Sequence, residues 1–212
     1  MRLLIFAVDC WDGSEGEPII YHGHTLTSKI MFKDVVEACR NYAFEKSDYP
    51  LIFSIENHCS VEQQDRMADI LINILGDTLY RKPINQEEER LPSPEKLMRK
   101  ILIKAKRLPE DASENADEAD ADFDDEEDER DEAKKKKPPK ISKKLSDLVN
   151  YIHAVHFHEF DHPEAKFYHM SSFGEKKTKG FLAEKGAEFV KYNTKQISRS
   201  DQSFSICVSV TL

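Results

Sequence analysis

The chain has 212 residues with a formal net charge of -9, which is length enough for one substantial core. No segment approaches the roughly 20 consecutive apolar residues of a membrane span, and no aromatics are interleaved with the basic runs, so transmembrane and nucleic-acid roles are set aside and any membrane contact is peripheral. The acidity is local: residues 110–132 carry 15 acids against one arginine, which leaves the rest of the chain mildly basic.

The opening "MRLLIFAV" has one positive charge, an apolar run too short for a secretory core and no small-residue cleavage site, so it reads as a strand. Leu3 to Asp9, Pro18 to His22, Pro50 to Glu56 and Ile101 to Lys104 are brief runs rich in aliphatics and aromatics, bounded by breakers; each is an expected strand. Between the second and third, Ile30, Val35, Cys39 and Tyr42 recur at helical spacing after a Thr/Ser cap. Between the third and fourth, Ser60 and Gln63 form an expected capping box. Met67, Ile70, Leu71, Ile74 and Leu75 make one apolar stripe behind it, and Gly76 stops the helix.

Strand alternating with helix implies parallel strands covered on both faces, consistent with runs that are apolar throughout rather than alternating. Asp9, His22, Glu56 and Lys104 then fall at C-terminal strand ends, where functional groups converge in parallel α/β folds. Beyond them, the acidic run and the "KKKKPPK" at 134–140 have too little apolar content to order. A second ordered piece starts near Leu145. Phe167 to Met170 reads as a strand leading into Ser171 and Ser172, and Phe181, Leu182, Phe189 and Val190 supply the apolar side of a following helix.

Each polar group has two readings at this level. Asp9 and Glu56 either bind a hard cation such as calcium or magnesium, or cap turns. His22 is either a general acid or base, or structural. Lys104 and Lys106, two apart, point the same way in an extended strand; they either grip two phosphates or form an exposed basic edge. His153, His156, His158 and His162 suggest zinc, but no cysteine or carboxylate at structural-site spacing accompanies them. The lysines at 134–137 pair better with the adjacent acids than with lipid or nucleic acid. The four cysteines, Cys10, Cys39, Cys59 and Cys207, are widely spaced without a CxxC and read as reduced cytosolic thiols.

Taken together, "VDCWDG", "EPIIYHGHTLTSKI", "YPLIFSIENHCSVEQQ", "LPSPEKLMRKILIKAKRL", "LSDLVNYI", "MSSF" and "EFVKYNTKQISR" closely resemble eukaryotic phosphoinositide-specific phospholipase C over residues 7–199. The resemblance implies an α/β fold, a partial (β/α)8 TIM-like barrel of about five parallel strands with helices. It implies an X-box half at 1–109 lacking its first strand, a disordered acidic and basic X–Y linker at 110–140, the start of a Y-box half at 141–199, and a divergent tail at 200–212. The implied activity is that of a phosphoric diester hydrolase: calcium-dependent hydrolysis of phosphatidylinositol 4,5-bisphosphate to diacylglycerol and inositol 1,4,5-trisphosphate. By motif match Asp9 and Glu56 fall on calcium ligands, His22 on a catalytic histidine, and Lys104, Lys106, Ser172 and Arg199 on the group that grips the ring phosphates. The implied setting is cytoplasmic, peripheral to the inner face of the plasma membrane, with signalling proteins as activators and the acidic linker as an autoinhibitory plug.

Three departures count against that inheritance. The family's earlier strand, carrying a first catalytic histidine and an asparagine ligand, has no counterpart here. Ala7 stands where the family places an acid, and the tyrosine that follows the final arginine is replaced by "SDQSFSICVSVTL". These departures imply a fragment impaired in activity; the alternative is a catalytically inactive phospholipase-like regulatory or interaction protein.

Overall fold

The computed structural model describes residues 4–21, 28–85, 87–109 and 140–200. Its centre is one sheet of eight strands: β1 (Leu4–Trp11), β2 (Ile19–Ile20), β3 (Ile30–Met31), β4 (Leu51–Asn57), β5 (Ile101–Ala105), β6 (Ile152–Ala154), β7 (His169–Phe173) and β8 (Ile197–Ser200). The spatial order is β3-β2-β1-β4-β5-β6-β7-β8, so among the described residues the sheet stays open between its two ends. Six strands, β1 and β4 to β8, run parallel, and β2 and β3 are two-residue antiparallel additions.

The expected strand from Pro18 to His22 therefore exists only as Ile19–Ile20 and turns back on β1, with Cys10 opposite Ile20. Its reversal follows from its connection: the tight turn after Trp11 is too short for the crossover a parallel neighbour requires. Strands β6 and β8 were not expected. They carry three and four residues, "IHA" and "ISRS", too short and polar to stand out.

Helices α1 (Phe32–Tyr42), α2 (Val61–Leu75), α3 (Lys143–Ser146), α4 (Glu175–Glu184) and α5 (Gly186–Lys195) complete the fold. In α2, Met67, Leu71 and Leu75 are almost wholly buried and Ile74 is partly so, while Gly76 ends the helix at φ 50°, a value that suits glycine. Helix α1 starts later than expected. Ile30 and Tyr42 are exposed, and the buried contacts come from Phe32 and Val36. The expected single C-terminal helix is two, divided at Lys185, so Phe189 packs inward whereas Leu182 and Val190 face outward.

The two faces of the parallel sheet explain the unbroken apolar runs. Phe53, Ile55, Ile101 and Ile103 meet α1 and α2 on the outer face. Ile5, Ile52, Leu102, Ile152, Met170 and Ile197 gather on the inner face with Leu97 and Tyr151. A slice of apolar side chains thus floors the concave side, as in packed parallel barrels.

The segments on either side of 110–139 are stitched by one buried amide. Gln64, fully buried on α2, donates from Nε2 to the Lys140 and Cys59 carbonyls, both at 2.8 Å, and accepts from the Ser142 amide at 2.8 Å. Arg107 donates to the Val149 carbonyl and to Asn150 Oδ1, and the Leu108 amide donates to Ser146 Oγ at 2.9 Å. Lys144 pairs with Asp69 at 2.6 Å. The expected linker at 110–140 lies outside the described residues except for Lys140, and so does the tail from 201.

Candidate functional site

Side chains alternate along a strand, so every second residue above the apolar floor returns to the concave face. Two residues beyond Ile5, Ile52, Leu102, Ile152, Met170 and Ile197 stand Ala7, Ser54, Lys104, Ala154, Ser172 and Arg199. Two residues further on, the first three strands present Asp9, Glu56 and Lys106. A polar layer lies over a sealed hydrocarbon floor, at the C-terminal mouth of the parallel sheet.

Asp9 and Glu56 are register partners across β1 and β4. Adjacent strands are about 4.8 Å apart, so the two carboxylates rise side by side from one face. Asp9 is half-buried and Glu56 is exposed. The neighbouring thiols are held protonated. Burial, followed by coupling to the nearby Cys59 thiol and the charges of Asp9 and Glu56, pushes Cys10 well up, and burial with the Asp12 charge pushes Cys59 up to about 12. What remains for a ligand is a pair of hard oxygen donors, which suits calcium far better than a soft metal. No group of three or more His, Cys, Asp or Glu that could hold a metal occurs among the described residues. That statement covers the candidate zinc histidines, although His158 and His162 stack with ring centroids 4.8 Å apart.

The turn after Asp9 is fixed by the start of α2, in a way the capping box did not anticipate. Ser60 makes no side-chain cap within its own helix; its amide and hydroxyl donate to Asp12 Oδ1 at 2.9 and 3.0 Å. Gln63 clasps Gly13 instead of Ser60: Gly13 N donates to Oε1 at 3.0 Å and Nε2 donates to the Gly13 carbonyl at 2.9 Å. A Cβ at Gly13 would lie 2.1 Å from the Glu17 carbonyl oxygen, so only glycine fits. Trp11 stacks on His58 at 4.1 Å and 17° and also meets the tilted ring of Tyr21 at 5.3 Å. Both strand ends that carry the carboxylates are thereby braced.

In the layer below, Lys104 is 7% exposed, and its ammonium donates to Ser172 Oγ at 3.0 Å and lies 3.5 Å from Ser54 Oγ. Ser172 is the register partner of Arg199. Lys106 is exposed one residue past the end of β5. The structure therefore brings Asp9 to Glu56 and Lys104 to Ser172 and, by register, sets Arg199 beside that pair. His22 lies outside the described residues. Sequence reasoning missed Ser54 and gave Gln63 the wrong partner, Ser60; both roles depend on residues about 50 positions away.

Two family descriptions match the chain: the phosphatidylinositol-specific phospholipase C X domain over residues 3–107 and the Y domain over residues 145–201. The chain belongs to the phosphoinositide-specific phospholipase C family. Among curated relatives, this phospholipase C chain is 49% identical over 221 residues to the human 1-phosphatidylinositol 4,5-bisphosphate phosphodiesterase delta-4, covering 91% of the chain and 28% of that protein. It is 44% identical to the rat delta-1 enzyme over 208 residues, with the same coverage, and 57% identical over 114 residues to the mouse eta-2 enzyme, covering 53% of the chain and 8% of the relative. The crystal structure of S. officinalis PLC21 superposes with a TM-score of 0.74 at 40% identity, over 93% of this chain and 25% of that one. The phospholipase C chain spans roughly a quarter of the length of relatives such as delta-4 that match it nearly throughout.

Proposed function

We propose that the concave mouth is the catalytic site of a calcium-dependent phosphoinositide phospholipase C acting on phosphatidylinositol 4,5-bisphosphate. The observation that carries this reading is vertical order: the Asp9–Glu56 pair stands above the Lys104–Ser172 contact on one polar face over a sealed apolar floor. Asp9 and Glu56 would hold the calcium, whose bound form would polarise the phosphodiester and favour ionisation of the ring 2-hydroxyl. Lys104, Lys106, Ser172 and Arg199 bind the ring phosphates and orient the inositol, the cations matching anionic oxygens with charge-assisted hydrogen bonds. His22 stabilises charge that develops at the phosphate as the 2-hydroxyl oxygen bonds to phosphorus and diacylglycerol leaves. Water then opens the cyclic phosphodiester to inositol 1,4,5-trisphosphate.

The site works at the cytoplasmic face of the plasma membrane, with signalling proteins as activators. No helix among the described residues is long and apolar enough to cross a membrane, which supports a peripheral encounter. The domain reading follows the same division, with 1–109 and 141–199 as barrel halves, 110–140 as an electrostatic plug and 200–212 as a divergent tail. A second reading, that of an inactive regulatory or interaction protein, draws on Ala7. Its methyl stands beside Ser54 in register, two residues before Asp9, where the family carries an acid.

The test is inositol trisphosphate release from vesicles containing phosphatidylinositol 4,5-bisphosphate, across a calcium series. Wild type should turn over slowly, because a donor is lost at Ala7, and the signal should vanish in Asp9→Asn, Glu56→Gln and His22→Ala. Turnover that persists in all three variants, or none in wild type at saturating calcium, would reject the catalytic reading.

A further inference from the structure

β8 forms one end of the sheet, and no described strand lies beyond it. An edge left open presents unpaired amides and carbonyls to other chains and invites aggregation. The two faces of β8 differ sharply. Ile197 joins the apolar floor and Arg199 follows it on the concave side, whereas Ser198 and Ser200 turn toward the helices. Ser198 Oγ donates to Asn193 Oδ1 at 2.5 Å, and Ser200 Oγ lies 3.0 Å from Thr178 Oγ1. Gln196 is extended as well, with φ -135° and ψ 150°, so the pairable edge runs one residue further back.

Residues 201–212 lie outside the described part of the chain, and their sequence alternates. In "SFSICVSVTL", residues 203–212, every even position from Phe204 to Leu212 is apolar and every odd one is Ser, Cys or Thr. A period of two rich in β-branched residues is a strand pattern; at helical spacing the same residues share no single face. Only Asp201 and Gln202 separate this run from β8. That is far short of the dozen or more residues a parallel crossover needs, and it is the length of the commonest hairpin loop. A two-residue loop also sets the register, pairing Ser200 with Ser203, Arg199 with Phe204, Ser198 with Ser205 and Ile197 with Ile206. Opposite residues share a face, so Ile206 extends the floor beside Ile197, while Ser203 and Ser205 join the serines on the helix side. A slip of one residue would put Ile206 among those serines. We propose that residues 203–212 add an antiparallel strand to the open edge of β8, so that the chain covers this edge with its own tail. The proposal is independent of the catalytic reading above and assigns the tail no contact with substrate.

The test uses the full chain carrying Ile197→Cys and Ile206→Cys, whose Cα atoms, as a non-hydrogen-bonded pair, stand about 4.5 Å apart, within disulfide reach. Mild oxidation of the native protein at low concentration, followed by mass mapping, should find these two thiols joined within one chain. Ile197→Cys alone is the register control: native Cys207 then stands opposite Gln196 on the other face, and no bond to it should form. Because Ile197 is buried, a second measurement leaves it intact. Ile206→Asp sets a charge against the floor and should speed amide hydrogen exchange in β8 by at least about tenfold while β4 and β5 keep their protection. A single variant that bonds to Cys207 as fast as the double variant closes overturns the proposal. A bond that forms between chains gives the edge to a second copy's tail and overturns it too, as does β8 exchange equally fast in wild type and Ile206→Asp.

Discussion

Replacing Gln64 by leucine is the sharpest perturbation of the fold, because a side chain of similar volume fills the site and the change is confined to hydrogen bonding. The amide serves three backbone groups, the Cys59 and Lys140 carbonyls and the Ser142 amide, and it is wholly buried. Leaving a buried backbone group unpaired costs about 1–3 kcal/mol. Cys59 and Ser142 are buried, and some relief comes from water reaching Lys140, which is exposed. A loss of about 3 kcal/mol is therefore expected, which for a chain of this size lowers the melting temperature by roughly 6–12 °C. Urea titrations of wild type and Gln64→Leu, followed by circular dichroism, measure it. The slope should be unchanged and the midpoint lower. Since the clamp joins α2 to the segment that begins at Lys140, near-ultraviolet signals from both halves should be lost together. A destabilisation below about 1 kcal/mol, less than a single unpaired group would cost, refutes the claim that this amide holds the halves together.

Further outcomes are expected. His153 is pushed down to about 4, chiefly by burial and then by the Arg107 charge, so the folded state keeps it neutral where the unfolded chain, near 6.5, takes up a proton. Its contribution to stability is therefore full above pH 6.5 and is lost as pH falls from 6.5 toward 4; proton NMR should give a midpoint near 4, and His153→Phe should flatten the stability profile over that window. Cys39 is raised to about 11 and Cys59 to about 12 by burial, so a thiol reagent at pH 7.5 should modify neither at a rate comparable to a free thiol until the chain is unfolded, as mass mapping can show. In a full-length relative, deleting the counterpart of residues 110–139, which spares the Lys140 carbonyl, should raise hydrolysis on anionic vesicles, with a gain that shrinks as salt shortens the screening length; a salt-independent gain would point to steric blocking.

The strongest elements were readable because their signals are local. β4 and β5 are unbroken apolar runs, and α2 combines a long stripe with a glycine stop, so periodicity finds them without knowing the neighbours. β6 and β8 owe their pairing to the strands beside them rather than to their own composition, which includes His153 and Arg199. The division between α4 and α5 at Lys185 is equally hard to see, since a helical stripe through Phe181, Leu182, Phe189 and Val190 runs across it in sequence. At the site, Asp9, Glu56 and Lys104 drew notice as polar groups ending apolar runs. Ser54 is a small polar residue inside such a run, and only the 3.5 Å approach of Lys104 gives it meaning. Gln63 and Gln64 look like solvent-facing helix residues, yet both are buried and committed to loops distant in sequence.

Whether the mouth of β1 and β4 is a cation site can be read without turnover. Trp11 is the chain's one tryptophan and lies two residues from Asp9, so it can sensitise terbium bound between Asp9 and Glu56. Excitation of the indole should produce terbium emission that saturates with one ion per chain, is displaced by calcium, and is abolished by Asp9→Asn or Glu56→Gln. Ala7→Glu, which adds a third carboxylate to the same face, should tighten it. Emission that survives both substitutions, or no calcium-competable emission in wild type, would contradict the account.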